Sequence, residues 1–342
     1  MVKKNKFKHL LIIRLSAMGD VAMVPHAIRA LRENYPNLRI SILTRKAFQP
    51  MFDGLDVEFV KLDLLESHTG LVGIRRLARE ISNLSVDCVA DLHNVLRTKL
   101  LRTFLKIEGI DSKSLDKGRM HKWMRLDGGC GGETISLPHM VTRYCNVLRE
   151  LGFDVEDPGP APKMPRKNPM PFEKGDEKWV GVAPFSAHRG KIYPIDLMRD
   201  VIAQLSARYN RVFVHTGGGA ELEFAEEMQS KHPNVHAIFS KVTLGQEIDL
   251  ISNLDCMVSM DSFAMHVASL VATPVVSVWG ATHPMLGFAG YMTPKESFVQ
   301  AEWMTCRPCS VYGSKPCKFH DYRCMRAIEP IEITERVEYF TK

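Results

Sequence analysis

The residues best able to do chemistry fall in four short runs. In RLSAMGDV (Arg14–Val21), Gly19 permits a tight turn close to a ligand, and Asp20 stands where a helix should begin. A carboxylate there either caps the helix or acts as a general base that takes a proton from an attacking hydroxyl. DLHNVLRTKL (Asp91–Leu100) gathers Asp91, His93, Asn94 and Arg97 in one stretch. A histidine in such a place is either a satisfied core residue or part of a site. In APFSAHRGKIYP (Ala183–Pro194), small and hydroxyl residues precede Arg189 and Lys191. Backbone N–H groups and cationic side chains together suit a diphosphate, although a basic surface loop has the same composition. MDSFAMHVAS (Met260–Ser269) puts Asp261 and Ser262 at a helix N-terminus, with His266 one turn further in. The helix dipole favours a phosphate there, while the acid either caps the helix or meets sugar or ribose hydroxyls. WGATHP (279–284) follows the next strand and shapes the same pocket.

Each of these runs follows an apolar stretch with strand character. In the first half, strands are expected at 9–15, 38–45, 57–63 and 86–93. They alternate with helices at 21–35, 71–84, from about Val95, and at 139–152. The second half repeats the rhythm, with strands at 179–185, 211–217, 235–240, 255–260 and 273–280 and helices at 195–209, 220–232 and 261–272. Strands alternating with helices imply a parallel sheet covered on both faces. Ligands of such sheets bind at the carboxyl ends of the strands, where all four runs lie. No G-x-G-x-x-G follows the first strand, which argues against a dinucleotide-dependent oxidoreductase.

A chain of 342 residues is too long for one core and suits two domains. The expected division is an N-terminal domain over 1–155, a proline-rich linker over 156–178, a C-terminal domain over 179–325, and a tail over 326–342 that returns to the N-terminal domain. The linker carries Pro158, Pro160, Pro162, Pro165, Pro169 and Pro171, which cannot extend a helix or a central strand. No apolar run reaches the roughly 18 residues of a membrane span, and the lysine-rich start lacks the apolar stretch of a signal peptide. A cytoplasmic protein is therefore expected. The net charge is +6. Nine Lys/Arg against three acids between Arg97 and Arg125 account for all of it. Such a cluster is either a solvated face or a surface for phosphates or an anionic membrane.

The ordered set RLSAMGDV, DLHNVLRT, PFSAHRGKIYP, MDSFAMHVA, WGATHP and the terminal CRPC…C…CM resembles glycosyltransferase family 9, which contains the ADP-heptose:lipopolysaccharide heptosyltransferases. The resemblance runs along nearly the whole chain. It implies an α/β fold of the GT-B type, with two Rossmann-like doubly wound domains facing an interdomain cleft. The acceptor would lie on the N-terminal domain and the donor on the C-terminal one. By the same resemblance, Asp20 is the catalytic base, and Ser16, Met18, Gly19, Asp91, His93 and Arg97 meet the acceptor. Ser186, Arg189, Lys191, Asp261, Ser262 and His266 meet the donor. Either Glu221 or Glu223 contacts the nucleoside. The family's D-T-G reads Asp261-Ser262-Phe263 here, its Q-G reads His93-Asn94, and its G-P-T-D-P reads Gly280-Ala281-Thr282-His283-Pro284.

The implied function is inverting transfer of a heptose or related sugar from an ADP-sugar to a lipopolysaccharide inner-core or similar phosphorylated glycolipid. The alternatives are a GT-B transferase using another nucleotide sugar and a non-catalytic nucleotide-binding member of a surface-glycan pathway. No cofactor is expected for catalysis and no nucleic acid as partner. The implied partners are the ADP-sugar, the glycolipid and the inner leaflet, with peripheral attachment at the inner face of the inner membrane. Cys88, Cys130, Cys145 and Cys256 are scattered, whereas Cys306, Cys309, Cys317 and Cys324 form C-x2-C-x7-C-x6-C. That spacing reads as a structural pin of reduced thiols or a structural zinc, with an iron–sulfur cluster and disulfides as further alternatives, and not as a catalytic group.

Overall fold

The computed structural model describes residues 6–126, 136–163, 165–239 and 241–342; Cys130 and the last residue of the strand expected at 235–240 lie outside them. The chain divides into two compact units. One comprises Met1–Lys117 with Met140–Gly159, the other Gly118–His139 with Pro160–Lys342.

In the first unit the strands are β1 (His9–Ile13), β2 (Arg39–Leu43), β3 (Glu58–Phe59), β4 (Cys88–Asp91) and β5 (Asp111–Ser114). All pair in parallel in the order β3-β2-β1-β4-β5. β1 reads HLLII and is buried on both faces, as a central parallel strand must be. Helices α1 (Met18–Ala22), α2 (Val24–Asn34), α3 (Gly70–Ser82) and α4 (Leu96–Ile107) intervene. The chain then passes to the second unit for α5 (Arg119–Trp123) and returns for α6 (Met140–Glu150). Leu11, Ile13, Leu77, Ile81, Val89 and Leu101 belong to one apolar cluster of this unit. The helix expected over 21–35 begins earlier and breaks at Met23, with Pro25 in the first turn of α2, where its missing N–H costs nothing. Asp20 is thus inside α1. β5, reading DSKS, has no apolar signal and forms as an edge strand on β4.

In the second unit, β6 (Trp179–Ala183), β7 (Arg211–Val214), β8 (Val235–Ala237), β9 (Cys256–Met260), β10 (Val275–Trp279) and β11 (Phe298–Gln300) pair in parallel. Their order is β11-β10-β9-β6-β7-β8. The helices are α7 (Ile195–Ser206), α8 (Ala220–Lys231), α9 (Leu244–Asn253), α10 (Phe263–Leu270), α11 (Arg323–Arg326) and α12 (Pro330–Thr341). α9 starts at a capping box: the Thr243 N–H donates to Gln246 Oε1 at 2.9 Å, and Thr243 Oγ1 accepts from the Gln246 N–H.

The domain limits differ from expectation in three places. Gly118–His139 groups with the second unit rather than the first. There the Leu137 N–H donates to the Met285 carbonyl at 2.8 Å, and His139 Nε2 lies 2.7 Å from the Ala289 carbonyl oxygen. The proline-rich segment is anchored rather than free: Lys163 Nζ donates to the Leu254 carbonyl and Thr273 Oγ1, and the Arg166 N–H to Ser252 Oγ. The tail, expected to pair with the N-terminal domain, belongs to the second unit. As α12 it packs on α7, β9 and β10, burying Ile333 and Val337 in the second unit's core. Among the described residues no helix is long and apolar enough to cross a membrane.

Candidate functional site

In each sheet one pair of neighbouring strands feeds connections to opposite sides, which opens a crevice at their carboxyl ends. In the first sheet that pair is β1 and β4. The Arg14 guanidinium donates to the Leu92 carbonyl and pairs with Asp20 Oδ2. The same oxygen accepts the Ala17 N–H at 3.3 Å, and the Tyr144 hydroxyl donates to the Asp20 carbonyl at 3.2 Å. Burial pushes the Tyr144 phenol up, so it stays a neutral donor. Asp20 is not the N-cap residue; it lies at the third helical position, and its carboxylate reaches back to Ala17. Asp20 Oδ1 makes no hydrogen bond among the described residues, and the side chain is a quarter exposed. One oxygen is fixed and the other is open. Arg14, which fixes it, was not singled out from the sequence, although it opens the RLSAMGDV run.

Ser16 Oγ lies 3.3 Å from His93 Nε2, joining the two strand ends, while Met18 and Gly19 are half-buried beside Asp20 and Arg97 is exposed. Asp91 departs from the expected acceptor contact. It is fully buried, accepts the His93 and Asn94 N–H groups at 3.0 and 2.8 Å, and pairs with Arg102 at 3.0 Å. Its carboxylate holds the loop that follows β4. The left-handed backbone of Asn94 fits this turn, and its side chain donates to the Leu115 carbonyl.

The corresponding pair in the second sheet is β6 and β9. Lys191 Nζ lies 2.9 Å from Asp261 Oδ2, which also accepts from Thr282 Oγ1 at 2.8 Å. Ser186 Oγ donates to the Asp261 carbonyl at 3.1 Å. Asp261 is therefore not the cap of α10; Ser262 is the N-cap residue, yet its side chain makes no capping bond and lies 3.1 Å from Ser259 Oγ. Phe263 is half-buried in the first turn, and His266 is buried one turn on. Arg189 is exposed; it donates to the Ile192 carbonyl and stacks 4.8 Å from the centre of the Tyr322 ring. Glu221 reaches back to accept the Gly217 N–H at 2.8 Å, whereas Glu223 is exposed, which separates the two glutamates. A buried His215, 2.9 Å from Glu247 at the end of β7, was not anticipated.

The C-terminal segment closes around these loops. Gly190 has the Gly313 carbonyl oxygen and Ala281 Cβ where its own Cβ would stand, at 2.8 and 2.9 Å. Gly313, at φ +75°, lies against the Lys191 stem, so both glycines are required by close approach. Arg307, between Cys306 and Pro308, is buried among carbonyls. It donates to Gly280 at 2.6 Å, Thr282 at 3.1 Å and Ala301 at 3.2 Å, and to Gln300 Oε1 at 3.0 Å. The guanidinium thereby holds the loop whose Thr282 hydroxyl positions Asp261. Arg307→Met would strand these buried acceptors, at about 1–3 kcal/mol for each left unpaired. Chemical denaturation should show an unfolding free energy lower by at least about 4 kcal/mol; wild-type stability would contradict the clamp.

Cys306, Cys309, Cys317 and Cys324 are all free thiols. Among the described residues no three His, Cys, Asp or Glu side chains are gathered to hold a metal ion. Cys324 is buried in the core, and that burial pushes its thiol up to about 11.

Two histidines near the site are held neutral. Burial, and then the Arg14 charge, lowers His93 from 6.5 to about 4. Burial, and then Arg307, does the same to His283, also to about 4. His283 Nδ1 accepts the Met285 N–H at 3.1 Å, which requires an unprotonated nitrogen. Both folded values lie below the unfolded one, so the stabilisation is complete above about pH 6.5 and is lost as pH falls towards about 4. His283→Asn keeps a capping oxygen without the titration. Its unfolding free energy should fall less than wild type between about pH 7 and pH 5; equal slopes would contradict this.

The sequence model of glycosyltransferase family 9 (heptosyltransferase) matches residues 74–320. The chain belongs to this family. This family 9 enzyme is a glycosyltransferase, and its two parallel sheets are the Rossmann-like domains of the GT-B class. It is 22% identical over 292 residues to the lipopolysaccharide core heptosyltransferase OpsX of Haemophilus influenzae, covering 81% of this chain and 80% of that protein. A solved glycosyl transferase family 9 structure from Veillonella parvula is similar at TM-score 0.73 and 17% identity, covering 100% of this chain and 99% of that one. The Escherichia coli heptosyltransferase WaaC, solved with ADP-2-deoxy-2-fluoro heptose, gives TM-score 0.66 at 14% identity, covering 97% and 99%. At these identities the structural likeness carries the fold of the family 9 transferase.

Proposed function

We propose that this enzyme transfers a heptose from an ADP-sugar to a phosphorylated glycolipid of the lipopolysaccharide inner-core type, with inversion at the anomeric carbon. The observation that carries the reading is a carboxylate with one oxygen anchored and one open at the first crevice, combined with a lysine–aspartate–threonine cluster beside an uncapped helix N-terminus at the second. The names of OpsX and of the WaaC complex supply the sugar, the nucleotide and the acceptor class.

In this mechanism Asp20 Oδ1 accepts the proton of the acceptor hydroxyl as its oxygen attacks the anomeric carbon. The bond from that carbon to the diphosphate oxygen breaks on the opposite face, and ADP departs with the electron pair. Lys191 and the first N–H groups of α10, with Arg189 nearby, meet the charge that builds on the diphosphate. Asp261, held by Thr282, keeps the Lys191 ammonium at the strand end. Glu221 is the nucleoside contact of this reading. Ser16, Met18, Gly19, His93 and Arg97 border the acceptor, which would be met at the inner face of the inner membrane.

The donor is tested by thermal shift against ADP-heptose, ADP, and UDP- and GDP-sugars. Stabilisation by the ADP compounds is expected, about 2.7 kcal/mol at a hundred times Kd. Stabilisation by a uridine or guanosine compound alone would overturn the donor assignment.

A further inference from the structure

Helix α5 reverses the usual order of inside and outside. Met120, Trp123 and Met124 are 72%, 69% and 60% exposed, while Lys122 between them is 2% exposed. The lysine points into its own domain, with Nζ 4.1 Å from the centre of the Phe288 ring. Folded chains normally spend buried volume on the apolar groups and leave the ammonium in water. Here Met120 and Trp123 border a groove formed with Arg119, Lys122, Val311 and Tyr312. Tyr312 and Phe319 add further exposed aromatic surface.

The charge around this face is net basic. Residues 116–126 contain four Lys/Arg, of which Lys122 is buried, against Asp116, and residues 302–321 contain three, of which Arg307 is buried, against Glu302 and Asp321. Arg119, Lys315 and Lys318 are exposed and Arg125 is half-buried. An exposed apolar patch with a net basic rim calls for a partner that is apolar inside and anionic at its rim. A second copy of the chain does not meet that need, because a two-fold contact would set these cations against themselves. An anionic bilayer does: aromatic rings settle at its headgroup level, and basic side chains are drawn to its surface.

We propose that α5 and the 311–319 loop form a foot that inserts Met120, Trp123 and Met124 into the interface of an anionic lipid bilayer, with Arg119, Arg125, Lys315 and Lys318 on the headgroups. The proposal deepens the glycolipid reading, and rests on it for where the enzyme works.

The test uses the full-length chain with vesicles of neutral phosphatidylcholine, and with vesicles that also contain phosphatidylglycerol. Sedimentation reports binding, and acyl-chain bromination reports insertion through tryptophan quenching. Trp179 and Trp279 are fully buried, so quenching reads Trp123 and Trp303. Binding should require the anionic lipid and weaken with salt. Trp123→Ser should abolish most of the quenching, whereas Trp303→Ser should retain it. The Met120→Ser, Trp123→Ser, Met124→Ser triple variant should bind at least about tenfold more weakly, yet transfer sugar to a detergent-dispersed acceptor at the wild-type rate. The foot is refuted if wild type ignores anionic vesicles, if neutral vesicles bind equally, or if the triple variant binds undiminished. A concentration-dependent dimer that Trp123→Ser abolishes would refute it too, by assigning the face to a second copy. Vesicle binding without any transfer by wild type would overturn the transferase reading and leave the foot standing.

Discussion

Asp20→Asn is expected to lower kcat by about 10²–10⁴, the usual value of general-base assistance, with the donor Kd nearly unchanged. Asparagine has the same shape but cannot take a proton from the acceptor hydroxyl. The anchoring of one carboxylate oxygen by Arg14 and the Ala17 N–H leaves only Oδ1 for that task. The substitution also leaves a buried guanidinium facing a neutral amide in place of a carboxylate, so some loss of stability should accompany it. Two measurements separate the effects: the donor Kd, which an unfolded or distorted protein would not preserve, and the rate for Asp20→Glu, which should recover part of the turnover. Near-wild-type turnover in Asp20→Asn would remove the base from the mechanism.

Lys191→Met should act on the other half of the reaction. A hydrogen bond to a charged group contributes about 1.5–3 kcal/mol, so the donor Kd should rise by roughly 10- to 150-fold. The complication is Asp261, whose buried carboxylate keeps only Thr282 once the ammonium is gone. Part of any loss would then come from an uncompensated charge rather than from the missing diphosphate contact. The double variant Lys191→Met, Asp261→Asn removes that charge: stability should return, and donor affinity should not. Unchanged ADP-sugar affinity in Lys191→Met, measured by titration calorimetry, would contradict the assignment.

The strands that position these groups were plain in the sequence because central parallel strands are apolar on both faces, as in HLLII and WVGVA. The site loops were legible for the same reason: they follow those strands, and ligands gather there. What was missed depended on contacts between residues distant in sequence. DSKS forms a strand only because β4 offers it an edge. Asp91 looks like a ligand contact until Arg102, a full turn and more into α4, is seen to claim it. The CRPC run draws attention to its thiols, yet its Arg307 holds four oxygen acceptors of the donor-side loops. The shift of Gly118–His139 to the second unit rests on Met285, Phe288 and Ala289, far along the chain. The Thr243–Gln246 capping box, by contrast, was visible in the sequence as T-x-x-Q and simply preceded a helix that the apolar pattern did not announce.

The central claim is that an activated acceptor oxygen displaces ADP in one inverting step. The direct measurement is nuclear magnetic resonance of the product made from ADP-heptose and a purified inner-core acceptor, reading the one-bond carbon–hydrogen coupling at the new anomeric centre. The account predicts a heptoside of configuration opposite to that of the donor, formed with one equivalent of ADP. A product that retains the donor's configuration would contradict it.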